Sequence, residues 1–599
     1  MYATRQDEPA YTRIPDVPHP DKNRYGQSIE TVPADSPLRG ASLNINGDAG
    51  ISDNPNRYKQ HGFYFNADNC IACHACESAC SEKNDLPPHL AFRAVGYVEG
   101  GTYPDFRRMN ISMACNHCDD PVCLKGCPTR AYTKFAEYGA VLQDPDICFG
   151  CGYCTWVCPY NAPQLDPVKG HVQKCNMCVD RLEVGLKPAC SSACLAGALD
   201  FGIIETRPEN RDQLETRIPG FPSPDITHPN VRFQQTRSLP REMGRTDVMP
   251  IKYVKNEDGI YRSELNKMEK ARHWNLGKLR SREDPLVIFT LVTQAVVGAF
   301  LILFLGNLAG ISALAPQAHP IANALFLIGL LGVETFALAL STLHLGKPHR
   351  FYRAFNNLKY SPVSREVAGV ALFYNALGAY TVFTALPGLF GWLPAGLVSG
   401  LGQFFGYAAC IAGPAAIWFM HKIYRIPARP FWNHSQVLTS FYGSMLTLGA
   451  ILIALVFGTL SGDAMLLNWL VAPAVLGLLL EGAGLWFHAR DLKQGEGEAQ
   501  AAHHLQTTTY GMAYLTRNSL LAVSLLVAIS TLFIGLPAWW LLAALWIPAA
   551  LAGRALFYVL VIPTTMPGAF FWRNRGFQEH ARDTGLANMP QVGVVPEAH

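Results

Sequence analysis

The chain has 599 residues, a formal net charge of +3 and a mean hydropathy of +0.10. Its 16% of charged residues falls well below the roughly 25% of an ordinary soluble domain, so a soluble part joined to a membrane part is expected. The near-neutral balance supplies no bulk field for nucleic acid, and length and composition exclude a small disulfide scaffold and a disordered chain.

Residues 1–60 are polar and rich in Pro, Asp and Asn. They contain no apolar run of signal-peptide type and no twin arginine, so neither export signal is expected. This extension reads either as a solvated arm or as one that wraps a partner subunit.

Of the 17 cysteines, 16 lie between Cys70 and Cys194, and only Cys410 lies outside. They form four groups over residues 61–205. The first is Cys70, Cys73, Cys76 and Cys80; the second is Cys115, Cys118, Cys123 and Cys127. The third is Cys148, Cys151, Cys154 and Cys158, followed by Pro159; the fourth is Cys175, Cys178, Cys190 and Cys194. The third group follows the bacterial ferredoxin spacing, in which three thiolates wrap one cubane and the fourth ligates the neighbouring cluster. Structural zinc sites use separated pairs instead. Sixteen thiolates at four per cluster give four 4Fe–4S clusters in an α+β ferredoxin-like domain. Cys410, inside an apolar run, reads as packing.

Residues 206–284 are polar and Pro-interrupted and end in a basic run from Lys267 to Arg282; they read as an extension and linker. From Pro285 the composition turns apolar. Stretches of bilayer-spanning length run at about 286–306, 321–344, 366–388, 396–420, 436–459, 465–487, 518–535 and 538–562, so residues 285–565 read as an all-α bundle of eight membrane helices. Trp392, Trp432, Trp469, Trp539 and Trp540 fall near the ends, as an aromatic belt does. Residues 566–599 form a polar tail.

The loops alternate in charge. Those after the first, third, fifth and seventh stretches contain no Lys or Arg, whereas the opposite loops carry Lys347, Arg350, Arg353, Lys359, Arg365, Lys422, Arg425, Arg429, Arg490, Lys493 and Arg517. Positive charge stays inside during insertion. Both termini and the cysteine domain are therefore expected on the cytoplasmic side of a bacterial inner membrane.

The stretches Cys115-Asn-His-Cys-Asp-Asp-Pro-Val-Cys123, Cys158-Pro-Tyr-Asn-Ala-Pro-Gln164 and Lys169-Gly-His-Val-Gln-Lys-Cys175, the last followed by Cys178-Val-Asp-Arg181, resemble the four-cluster iron–sulfur subunit of DMSO reductase-type molybdoenzymes. The resemblance covers about 61–235 and implies a nested pairing. Cys70, Cys73 and Cys76 would share a cluster with Cys194, and Cys80 would join Cys175, Cys178 and Cys190. Cys115, Cys118 and Cys123 would take Cys158, and Cys127 would join Cys148, Cys151 and Cys154. Cys194 is followed by Leu195 where relatives commonly carry proline; ligation does not need that ring.

The apolar half resembles the membrane anchor of the same enzymes, through Pro285–Thr290 with Gln294, Leu343-His-Leu-Gly346 with Pro348 and Arg350, Glu366, and Gly553–Tyr558. Anchor and cluster subunit are usually separate chains, so this sequence looks like their fusion. The resemblance implies a quinone site at His344, Arg350 and Glu366. A neutral imidazole at His344 can exchange a proton with a quinol, although an interfacial histidine needs no such role. Glu366 is either a proton acceptor or a helix N-terminal charge. Glu334 lies deeper, and Glu481 and Arg554 are placed to pair. No haem is expected. His344, His421 and His488 fall near span ends, and His349 and His434 fall in loops, whereas a membrane haem needs facing axial histidines.

About 80 residues between the cysteine domain and the first span leave no room for a molybdopterin domain. Substrate chemistry is therefore expected on a separate catalytic subunit, with this chain joining it to the membrane quinone pool. The same architecture run in reverse, as in cytoplasmic sulfite dehydrogenases, and a polysulfide or nitrite reductase-type anchor stay open. A redox-regulated ion translocator is the competing class, but the intramembrane charges form no continuous ionisable chain.

Overall fold

The computed structural model describes residues 8–14, 60–135, 138–204, 218–245, 250–266 and 271–564. The expected N-terminal extension apart from residues 8–14 and 60, and the polar tail, lie outside the described residues. The chain divides into two compact units, one formed mainly by residues up to 267 and the other by residues 268–562 apart from 496–498.

In the first unit, β1 (His61–Asn66) runs between β8 (Leu199–Ile203), which is antiparallel to it, and β9 (Val231–Gln234), which is parallel. β1 is buried along nearly its whole length, as a central strand covered on both faces must be. A second sheet has the order β12 (Tyr261–Leu265), β11 (Ile251–Lys255), β10 (Glu242–Arg245), β2 (Arg93–Gly100), β3 (Arg107–Ala114). Two small hairpins, β4–β5 (Tyr132–Lys134 and Val141–Gln143) and β6–β7 (Gln164–Asp166 and His171–Gln173), lie between the cysteine groups. Five short helices carry or flank the thiols: α1 (Ala75–Lys83), α2 (Val122–Gly126), α3 (Tyr153–Val157), α4 (Val179–Leu182) and α5 (Ala189–Ser192).

Sequence reading ends this domain at 205 and treats 206–284 as an extension and linker. The fold continues through that segment, because β9 completes the first sheet and β10–β12 complete the second. Their alternating, part-polar pattern has no local mark distinguishing a paired strand from a linker; the ladder with β1 and β2 decides it. A described piece of the N-terminal extension also docks here. Arg13 bridges to Leu186, the Ile14 N–H donates to the Gly185 carbonyl at 2.8 Å, and the Lys187 N–H donates to that of Thr12 at 2.7 Å.

The second unit contains eight helices long and apolar enough to cross a membrane, among the described residues. They are Asp284–Leu308, Pro320–Thr342, Pro362–Ala385, Ala395–Ile423, Gln436–Ser461, Ala464–Gln494, Gly511–Ile534 and Leu536–Val559. The seventh and eighth are separated at Gly535, whose φ of 74° breaks the helix where a side chain would be strained. The first and fifth spans are the most buried and form the centre of the unit, while the second, fourth and seventh turn most of their surface outward.

Close approach at that centre depends on small residues. Gly298 of the first span lies against the Met445 backbone and Gly449 of the fifth, and Gly443 of the fifth lies against Gly477 of the sixth. Leu325, Ile328, Phe336, Leu372, Phe404, Ile411, Leu526 and Phe533 point outward, the surface a lipid-facing bundle presents.

Candidate functional site

The first Cys-x-x-Cys of each of the four groups shares a backbone device. The residue before the second cysteine adopts a left-handed conformation in each: Ala72 (φ 54°), His117 (φ 45°), Gly150 (φ 74°) and Met177 (φ 60°). That turn aims backbone N–H groups back at the first thiol. Gly150 N donates to Cys148 Sγ and Met177 N to Cys175 Sγ, both at 3.4 Å. Only the third group uses glycine there. The other three bear a side-chain cost of roughly 1–2 kcal/mol each, which the surrounding fold sustains.

The thiols meet in sets drawn from different groups. Cys70, Cys73, Cys76 and Cys194 line one cavity with Phe65, Val95, Ser112 and Leu199. Cys115, Cys118, Cys123 and Cys158 line another with His117, Tyr160, Lys174 and Thr227. Cys80 has Cys175, Cys178 and Cys190 as its electrostatic neighbours. Cys127, Cys148, Cys151 and Cys154 are neighbours in the same way. Among the described residues no group of three or more His, Cys, Asp or Glu side chains converges tightly enough for a single metal ion. The thiols instead surround spaces, an arrangement that fits a multi-atom cluster better than a tetrahedral zinc. These sixteen cysteines are consistent with four iron–sulfur clusters.

Burial pushes the thiols up, Cys76 to about 11 and Cys118 to about 12. Iron ligation therefore has to be coupled to proton release. Further donors converge on the sulfurs: Leu199 N on Cys194 at 3.2 Å, Ala131 N on Cys127 at 3.4 Å and Asn84 Nδ2 on Cys80 at 3.7 Å. Such bonds favour the reduced form of a cluster.

Several buried polar residues around the thiols carry no spacing signal in the sequence. Lys134 Nζ donates to the Cys118 carbonyl at 2.8 Å and pairs with Asp119 at 3.1 Å. Lys174 Nζ donates to the carbonyls of Val141 and Cys175. His117 Nδ1 accepts from the Val141 N–H at 3.0 Å. Arg93 is 2% exposed. Adjacency to a cysteine marks Lys174 and His117; nothing local marks Arg93 or Lys134.

In the anchor unit, His344 lies two residues beyond the second span. Its Nδ1 donates to the Ser341 carbonyl, and its own carbonyl accepts from Arg282 at 3.1 Å. Burial, reinforced by Arg282, holds the imidazole down at about 4, so it is neutral at physiological pH. Because Nδ1 carries the proton, Nε2 keeps its lone pair. Arg350 sits in the 3-10 segment Pro348–Asn357 between the second and third spans. Glu366 is buried in the first turns of the third span, within electrostatic reach of Tyr424 and Tyr558, whose hydroxyls are bonded at 2.5 Å. Among the described residues no hydrogen bond or ion pair joins Glu366 to His344.

Glu481 and Arg554, which the sequence places to pair, act on each other electrostatically but form no direct ion pair. Glu481 accepts from Ser440 at 2.8 Å, and Arg554 donates to Gln294 at 3.0 Å while stacking over Phe441 at 4.1 Å. Neutral partners on the first and fifth spans reach these groups before they reach each other. Glu334, fully buried, accepts from Thr293 at 2.9 Å. His488 Nε2 is 2.9 Å from the Phe431 carbonyl, and His434 pairs with Asp491 at 3.0 Å.

Over 180 residues the sequence is 39% identical to one chain of the anaerobic dimethyl sulfoxide reductase of Escherichia coli (strain K12), an alignment that covers 29% of this chain and 87% of that protein. This polypeptide belongs to the DMSO reductase iron–sulfur subunit family. The corresponding chain of the anaerobic dimethyl sulfoxide reductase of Haemophilus influenzae is 41% identical over 184 residues, covering 29% of this chain and 88% of that one. A sulfite dehydrogenase subunit of Allochromatium vinosum is 37% identical over 154 residues, covering 22% and 64%. A family model described as a 4Fe-4S dicluster domain matches residues 107–204, and one described as the DMSO reductase anchor subunit (DmsC) matches 280–560. A DMSO reductase-type iron–sulfur subunit and a DmsC anchor are thus fused in one polypeptide, the electron-transfer and membrane-anchor parts of an oxidoreductase complex.

Proposed function

We propose that this chain carries electrons between membrane quinone and a separate molybdopterin-bearing catalytic subunit through four 4Fe–4S clusters. The observation that carries this reading is the presence, in one polypeptide, of four convergent thiol sets and eight spans of bilayer length. Cys70, Cys73, Cys76 and Cys194 hold the first cluster, and Cys80, Cys175, Cys178 and Cys190 the second. Cys115, Cys118, Cys123 and Cys158 hold the third, and Cys127, Cys148, Cys151 and Cys154 the fourth. When bound, the clusters supply one-electron transfer.

The quinone site in this reading comprises His344, Arg350 and Glu366. The free Nε2 of His344 accepts a proton from a quinol hydroxyl, the Glu366 carboxylate takes up the second proton as the two electrons pass one at a time to the clusters, and Arg350 orients the headgroup by charge. Support comes from the neutral, fixed tautomer of His344 and the burial of Glu366. With the basic loops inside, the cluster domain faces the cytoplasm. That placement favours the reverse direction as the second reading, in which a cytoplasmic substrate such as sulfite delivers electrons to quinone.

Membranes containing the whole complex test this. A quinol analogue should reduce the clusters, and oxidised quinone should reoxidise them after reduction from the catalytic side. Clusters that dithionite reduces but that exchange electrons with neither quinone form would overturn the reading. Comparing sulfoxide with sulfite as the second reactant separates the two directions.

A further inference from the structure

Most buried cations of the cysteine-rich unit have carboxylate or carbonyl partners. Lys134 pairs with Asp119 at 3.1 Å, Arg181 donates to the Lys187 carbonyl at 2.8 Å, and Lys174 is held by two carbonyls. Arg93, at the start of β2, has a carbonyl partner but no carboxylate. It is 2% exposed, and among the described residues it has no ion-pair partner and its Nε has no hydrogen-bond partner. One terminal nitrogen donates to the Ser112 hydroxyl at 3.0 Å and carbonyl at 3.3 Å, and the guanidinium lies over the Phe63 ring at 4.6 Å. The Ser112 hydroxyl in turn lies 3.4 Å from Cys76 Sγ, and Ser112 lines the cavity of Cys70, Cys73, Cys76 and Cys194. The groups that act on Arg93 electrostatically are the thiols of Cys190, Cys76, Cys175 and Cys80. One of these belongs to the first set and three to the second.

A buried guanidinium cannot shed its proton and is costly without a counter-charge. Neutral thiols supply none. Clusters held by four thiolates carry net negative charge, and two such clusters flank this position. We propose that Arg93 is a redox-positioning residue, a fixed cation shared by the first and second clusters that raises the reduction potential of both. The inference rests on the four-cluster reading above. Reduction places one further electron on a cluster with no bond made or broken, so a nearby buried cation stabilises the reduced form electrostatically. Ser112 extends the effect by linking the guanidinium to Cys76.

The test uses the full chain in its membrane complex, with EPR-monitored redox titration and iron analysis. Arg93→Gln removes the charge. It should retain full iron while two of the four clusters move to lower potential and two stay unchanged. Unchanged potentials in all four, or an equal shift in all four, would overturn the proposal. Should Arg93→Gln lose iron, Arg93→Lys decides: full iron with near-wild-type potentials supports the charge role. Lowered potentials at full iron, or iron loss in this variant also, would show that shape and packing set the site and would overturn it. Failure of the unmodified protein to bind four clusters would sink the four-cluster reading itself, a result distinct from any of these.

Discussion

Phe65 and Leu199 stand opposite each other in the β1–β8 ladder, and both line the cavity that contains Cys70, Cys73, Cys76 and Cys194. The pairing of the domain's first strand with one that begins five residues after its last cysteine is what brings Cys194 to the first cysteine group. Leu199 then anchors that cysteine by donating its N–H to the thiol at 3.2 Å.

Cluster content follows from this closure. The intact protein should contain about sixteen iron atoms per chain, and Cys194→Ala should lower this to about twelve by removing one cubane of four. Iron and sulfide analysis with EPR of the reduced protein checks both numbers. Stoichiometric zinc, or a dominant 3Fe–4S signal in the intact protein, would contradict the assignment.

His344→Leu cannot exchange protons. It should abolish quinone-linked turnover while leaving every cluster reducible by dithionite. With the imidazole held down at about 4, it is neutral above that value and charged below it. Its acceptor role is therefore expected to be flat through neutral pH and to fail only as pH falls toward about 4. Wild-type turnover in the variant would place the site elsewhere.

Topology is open to a direct assay. Reporter fusions placed after the first span and after residue 599 should report periplasm and cytoplasm respectively. A periplasmic C-terminus would reverse the orientation and favour an external sulfoxide as substrate.

Gly298→Val should damage the bundle, because a side chain there collides with the Met445 backbone carbonyl at the crossing of the first and fifth spans. Overpacking of this kind costs about 1–3 kcal/mol or more. Gly329→Ala meets open space and should be close to neutral. Thermal inactivation of the detergent-solubilised protein compares the two; equal half-lives would show that this helix crossing is not tightly packed.

Apolar runs of span length, cysteines at ligand spacing and the asymmetry of the loops are properties of contiguous residues. For that reason the eight helices and four cysteine groups were legible without a fold. Even the division of the last two spans was written locally, in Gly535. Residues 231–265 were not legible in this way: their strands are short and part-polar, and only pairing with β1 and β2 distinguishes them from a linker. Arg93 gave no signal at all, since a lone arginine on a strand reads as a solvated charge until the sheet buries it beside thiols from two distant segments. Glu481 and Arg554, at matching depth, suggested an ion pair, yet Ser440 and Gln294 reach them first. Helix formation and loop spacing depend on neighbours a few residues away, whereas the counter-charge or hydrogen-bond partner of a buried group is chosen by side chains that only the folded chain brings within reach.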